Sequence, residues 1–271
     1  TSARTLGLSL EPLDALRKLD LFCDGRFVST QTLVAQDRTV SWEQLPEGEK
    51  DVEIWFPPHP VTVTKLDLES GASVEAVMDD RPRFVAYGSS ITHCTAADSP
   101  SQTWPALVAR ERGYNLTCLG YGGQCHADVM VARMIRGLPA NILSFSFGIN
   151  IYGGNTLNER TFQPAVLGFL TVVREGHPDA PILVSSPIFS PPREQTPNAV
   201  GMTLVHMRRQ IAETVELLRR RGDKNLFYID GLNLIGEAEA HLLPDQLHPD
   251  GEGYRRYAEK YLRQVRGLPL P

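Results

Sequence analysis

Two periodicities divide the chain near residue 80. Before it, short stretches of mixed apolar and polar residues follow one another: Leu19–Gly25, Phe27–Ala35, Thr39–Glu43, Asp51–Phe56 and Val61–Glu69. Val61, Val63, Leu66 and Leu68 keep a rough two-residue spacing with one break. Asp24-Gly25 and Pro46-Glu47-Gly48 supply turn signals. The pattern predicts short antiparallel strands, with a helix only over Pro12–Leu19. Residues 1–80 thus read as a small β-rich module, β-sandwich or jelly-roll-like and short for a complete sandwich.

After residue 80 the pattern changes to apolar strands separated by amphipathic helices. Arg83–Gly88, Asn115–Gly120, Asn141–Gly148, Pro181–Pro187 and Asn225–Asp230 read as strands. Helices are predicted over Ser101–Arg112, His126–Ile135, Thr161–Glu175, Met202–Arg221 and Gly253–Val265. Phe162, Val166, Phe169, Leu170 and Val173 share one face of the third, and Leu204, Met207, Ile211, Val215 and Leu218 one face of the fourth. Such alternation implies a parallel sheet covered on both faces, with ligands at the carboxyl ends of its strands. Residues 81–271 form this second domain. The Pro-rich stretch Pro187–Pro197 follows a strand end and is a candidate active-site loop.

Composition narrows the class. The chain has 271 residues, 42% hydrophobic and 22% charged, with a formal net charge of -5. This is a globular composition. The acidic balance argues against nucleic acid as a partner, and no apolar run approaches the roughly 20 residues of a membrane span. The chain opens Thr1-Ser2-Ala3-Arg4 without a Met, which suggests a processed or trimmed start, and without a basic-then-apolar leader. Cys23, Cys94, Cys118 and Cys125 form no CxxC pair and read as reduced thiols, so a cytoplasmic location is expected.

Four features carry chemistry, each weak alone. Ser90, in Gly88-Ser89-Ser90-Ile91-Thr92, follows the first strand of the large domain, where a turn exposes a serine hydroxyl and its amide at the sheet's edge. Gly123, after the strand ending at Gly120, offers a backbone amide and close approach. Asn150, after Gly148-Ile149, offers a side-chain amide. Asp245 lies three residues before His248, a spacing that lets the carboxylate fix one ring nitrogen and free the other to take a serine proton. All four fall at strand ends or just before the last helix. The lipase elbow G-x-S-x-G is not matched, since Thr92 replaces its second glycine. A P-loop is absent, and Gly120–Gly123 lacks dinucleotide-binding spacing. His93 and Arg193 are candidate substrate contacts, with Cys94 a lesser one. For Arg193-Glu194 a solvated ion pair is the plain alternative. His126 is read as capping or solvating its helix. His93 and His126 lack a third ligand by spacing, so neither metal nor cofactor is expected.

In this order and placement the residues resemble the SGNH/GDSL hydrolase family. Ser90 in GSSIT, Gly123 in LGYGGQC, Asn150 in GINI and the pair Asp245 and His248 stand for its blocks, and Trp104-Pro105-Ala106-Leu107 looks like the helix after the nucleophile. The resemblance spans about Arg83 to Val265. It implies a flavodoxin-like α/β/α sandwich and acyl transfer through a seryl ester, with Ser90, Asp245 and His248 as triad. The oxyanion hole would comprise the amides of Ser90 and Gly123 and the side chain of Asn150. Ser89 and Ile151 depart from the family pattern, each standing where an Asp is usual. The leading module looks like the β-sandwich that some carbohydrate esterases and natural-product acyltransferases of the family carry. The expected activity is a serine esterase on a small-molecule ester. The alternatives are an acyltransferase moving an acyl group from an activated thioester to a sugar or natural-product hydroxyl, and an inactive glycan-binding protein.

Overall fold

The computed structural model describes residues 1–271, which divide into two compact units. The first comprises Thr1–Asp80 with Asp98–Gln102 and the second Arg81–Ala97 with Thr103–Pro271. The segment 98–102 thus joins the first unit although the change of pattern at residue 80 groups it with the second.

The first unit has six strands: β1 (Leu6–Leu10), β2 (Arg17–Cys23), β3 (Arg26–Leu33), β4 (Thr39–Trp42), β5 (Val52–Trp55) and β6 (Val63–Leu68). They form two antiparallel three-stranded sheets, ordered β4-β1-β6 and β3-β2-β5. Alternate residues Leu6, Leu8 and Leu10 of β1 are buried with Leu19, Leu21, Val40 and Trp42. The helix expected over Pro12–Leu19 is not formed. Arg17 onward is instead the central strand of its sheet, hydrogen-bonded to β3 and β5, and Leu16 is exposed. Ladder pairing overrides a weak helical spacing. β1 itself escaped the sequence reading. Asp20, fully buried on β2, accepts hydrogen bonds from the Thr30 hydroxyl, the Ser99 hydroxyl (2.7 Å) and the Ser101 amide (2.8 Å).

The second unit runs β7 (Arg83–Gly88), α1 (Ser90–His93), α2 (Trp104–Arg112), β8 (Asn115–Gly120), α3 (Val129–Gly137), β9 (Ile142–Ser146), α4 (Ile149–Gly154), α5 (Glu159–Gly176), β10 (Ile182–Ser185), α6 (Leu204–Arg220), β11 (Leu226–Ile229) and α7 (Gly251–Gln264). Its five strands are all parallel, in the order β11-β10-β9-β7-β8. Counted within this unit, that is the flavodoxin order 2-1-3-4-5 read from the far edge. Strand side chains alternate between two cores. Val85, Tyr87, Leu143, Phe145, Ile182 and Val184 pack with α3, α5 and α6. Phe84, Ala86, Ile142 and Leu183 pack with α2 and α7, where Trp104 stacks on Tyr257.

Two helices begin three residues later than their periodicity suggests. α2 starts at Trp104 because Thr103 is extended, ψ 147°, which ends the short turn Pro100–Gln102, and its side chain caps the helix by accepting the Ala106 amide. α3 starts at Val129 because Ala127 takes a left-handed backbone, φ +59°, which ends any helix reaching back to His126. α1 and α4 are too short to show a period. The order of strands reverses between β7 and β9, so a crevice is expected at their carboxyl ends.

Candidate active site

Ser90 and Asn150 follow the two strands that flank this reversal. β7 ends at Gly88, where an added Cβ would lie 2.2 Å from the Thr92 hydroxyl oxygen, so only glycine lets α1 fold back so tightly. Ser89 caps the turn, its hydroxyl accepting the Ile91 amide at 3.2 Å. Ser90 is thereby the first residue of α1, and its amide is one that no helical carbonyl can satisfy. The Trp104 indole N–H donates to the Ile91 carbonyl at 3.0 Å and ties α1 to α2.

The Ser90 hydroxyl lies 2.8 Å from His248 Nε2, and His248 Nδ1 lies 2.6 Å from Asp245 Oδ2. A carboxylate only accepts, so Nδ1 carries a proton and the neutral ring presents Nε2 as acceptor to the serine. Asp245 Oδ1 also accepts the amides of Leu247 (3.0 Å) and His248 (2.6 Å). Partial burial works to raise the Asp245 carboxyl. The hydrogen bonds from the His248 ring and from these two amides outweigh it and hold the group below the usual carboxylate range.

Asn150 lies in the first turn of α4. That helix follows β9 at once because Gly148 takes φ +118°, where an added Cβ would also strike Pro187 at 2.6 Å. The Asn150 side-chain oxygen accepts the Cys125 amide at 3.1 Å, leaving the NH2 end as the donor of that side chain. Gly123, at φ +73°, is held by His126, whose Nε2 donates to its carbonyl at 3.1 Å while Nδ1 meets the Thr156 hydroxyl at 3.0 Å. His126 therefore braces the glycine loop and caps no helix.

His93 is half-buried at the end of α1, with Nδ1 3.5 Å from where a Cβ on Gly122 would stand. The same position is 3.7 Å from Ser90 Cβ, so the absence of a side chain at Gly122 leaves space over the serine. Arg193 turns to Ser190 and to the Gln246 carbonyl, and Glu194 pairs with Arg208 of α6, so Arg193-Glu194 is no solvated ion pair. Cys94 is buried beneath the turn. Burial raises its thiol well above the ordinary value and that of Cys125 to about 12, which leaves both protonated and poorly nucleophilic at neutral pH. A small pocket that Ser90 itself does not line is bounded by Ser89, Ile91, Phe147, Ile149, Ser190 and Leu247. Gly122 and Ser190 lie inside the glycine block and the Pro-rich stretch that the sequence marks, but nothing local singles them out there, and Arg208 lies in no motif at all.

The model of the GDSL-like lipase/acylhydrolase family matches residues 81–266. Among solved structures, the chain is similar over its full length to 82% of a salicylyl-acyltransferase, SsfX3, from a tetracycline biosynthetic pathway, at 31% identity and TM-score 0.90. It shares its fold with a GDSL-like lipase from Bacteroides ovatus, at 21% identity and TM-score 0.79, over 97% of this chain and 81% of that one. The same holds for a family two carbohydrate esterase from Clostridium thermocellum, solved with cellohexaose, at 16% identity and TM-score 0.75, over 98% and 89%. No curated protein sequence matches it.

Proposed function

The chain belongs to the GDSL-like lipase/acylhydrolase family, and from that membership we propose that it cleaves a small-molecule carboxylic ester through an acyl enzyme on Ser90. The observation that carries this reading is the unbroken hydrogen-bond chain from the Ser90 hydroxyl through His248 to Asp245, at 2.8 and 2.6 Å. Ser90 Oγ attacks the ester carbonyl while His248 Nε2 takes its proton. Asp245 keeps the Nδ1 tautomer and stabilises the imidazolium. The oxyanion is bound by the amides of Ser90 and Gly123 and by the Asn150 NH2. His248 returns the proton to the departing alcohol, then activates water to release the acid. Gly122 leaves room for the acyl carbonyl above the serine.

The second reading is acyl transfer from an activated donor such as a thioester to a hydroxyl of a sugar or natural product. The full-length likeness to an acyltransferase at 31% identity favours it. It uses the same steps with an alcohol in place of water.

Intact mass after fluorophosphonate treatment tests the nucleophile. One adduct on the wild type, absent from Ser90→Ala, is expected. Equal labelling of both would overturn the reading. Turnover of an acyl thioester with and without an acceptor alcohol then separates hydrolysis from transfer.

A further inference from the structure

Between Asp245 and His248, Gln246 adopts a left-handed backbone, φ +61°, which a residue with a Cβ rarely holds unaided. Its carbonyl accepts two hydrogen bonds from the Pro-rich loop, from the Ser190 hydroxyl at 2.7 Å and from Arg193 Nη1 at 3.3 Å. Arg193 Nη1 also donates to the Ser190 hydroxyl oxygen at 2.9 Å. The Gln246 carbonyl and the Leu247 N–H belong to one planar trans peptide and point in opposite directions. One end of that peptide is held by Ser190, and the other donates to Asp245 Oδ1 at 3.0 Å.

Ser190 is itself fixed from behind. It is 1% exposed, and its amide donates to Glu194 Oε1 at 2.9 Å. Glu194 is gripped by both terminal nitrogens of Arg208, at 2.6 and 2.7 Å. The same guanidinium donates to the carbonyls of Pro187 and Ile188, at 2.7 and 3.0 Å, so α6 anchors the loop that carries Ser190. A buried arginine that makes four hydrogen bonds to one loop is matched to geometry that must not drift.

We infer that Ser190, backed by Glu194 and Arg208, is a positioning residue that latches the Asp245–His248 turn through the Gln246–Leu247 peptide. The inference rests on the triad reading above. With the latch intact, the Leu247 amide is aimed at Asp245, which keeps that carboxylate ionised and aligned with His248. With it removed, the peptide rotates, Asp245 loses a donor, and its carboxyl rises toward the ordinary range.

Wild type, Ser190→Ala and Ser190→Thr are compared, with Ser90→Ala as the blank, for p-nitrophenyl acetate turnover against pH, fluorophosphonate labelling rate and thermal midpoint. Ser190→Ala is expected to label at Ser90 roughly tenfold or more slowly, since small misplacements of reacting groups are costly. Its kcat falls with KM little changed, and the acid limb of kcat/KM moves to higher pH. Ser190→Thr, which keeps the hydroxyl, recovers both. A Ser190→Ala enzyme with the wild-type labelling rate and pH profile overturns the latch alone. So does a loss of kcat with an unmoved profile. A wild type that takes no adduct removes the triad reading and the latch with it. If Ser190→Ala does not fold, Arg193→Met, which removes one of the two bonds to Gln246, replaces it under the same criteria with a smaller expected change.

Discussion

The side-chain carbonyl of Asn150 accepts the backbone N–H of Cys125 at 3.1 Å. That bond leaves the NH2 end of the amide as the donor, and it gives a clean way to separate structure from chemistry. In Asn150→Asp the acceptor for Cys125 survives and the donor is lost. The variant should keep its thermal midpoint and lose about 10²–10³ in kcat, the usual cost of one oxyanion donor. Steady-state kinetics on a chromogenic ester checks this, and a kcat within a factor of three of wild type would remove Asn150 from the oxyanion hole.

Asp245 gives a pH-dependent signature. Its carboxyl is lowered in the folded chain by the His248 ring and two amides acting against partial burial. A lowered carboxyl stabilises the fold fully above its unfolded value, about 3.9, and that contribution is lost as pH falls through the folded value. Denaturant unfolding of wild type and Asp245→Asn should therefore differ by a constant amount near neutrality and converge below about pH 4. Activity behaves differently: Asp245→Asn should lose about 10⁴ in kcat at neutral pH, where the ring is no longer held in its productive tautomer.

Much of the candidate site was legible because its residues sit at positions that strand periodicity can locate. Ser90 follows β7, Gly123 follows β8, Asn150 follows β9, and the Asp245–His248 pair precedes α7. The five parallel strands were visible as apolar runs, since both faces of their sheet are covered. What escaped depends on contacts distant in sequence. The grip of Arg208 on Glu194 spans 14 residues and that of Asp20 on Ser101 spans 81. Neither has a local pattern. The helix wrongly expected over Pro12–Leu19 failed for the same reason, because β2 is defined by partners on either side.

Space above Ser90 is set by Gly122. An added Cβ there stands at ordinary contact distance, 3.5 Å from His93 Nδ1 and 3.7 Å from Ser90 Cβ. Gly122→Ala should fold normally and lower kcat/KM more for bulky acyl esters than for acetyl esters. The ratio of the two specificity constants is the measurement, and an unchanged ratio would show that the acyl group lies elsewhere. Gly88→Ala is the contrast, since its Cβ meets Thr92 at 2.2 Å. It should cost about 1–3 kcal/mol in overpacking, read as a lower midpoint in urea.

In the first unit, Asp20→Ala strips three donors of their acceptor, including the buried Ser101 amide. A loss of about 1–3 kcal/mol for each buried group left unsatisfied is expected, and thermal unfolding measures it. Asp20→Asn, which keeps an acceptor oxygen, should lose less.

Because Asp98–Gln102 belongs to the first unit and its neighbours on both sides belong to the second, no single cut separates the two. A scission after Asp80 sends Asp20 into one fragment and Ser99 and Ser101 into the other. The amino-terminal piece inherits a carboxylate stripped of two donors, and the carboxyl-terminal piece a five-residue excursion that has lost its acceptor. Any variant that trims or replaces the leading module must therefore also rewrite the loop that follows Ser90.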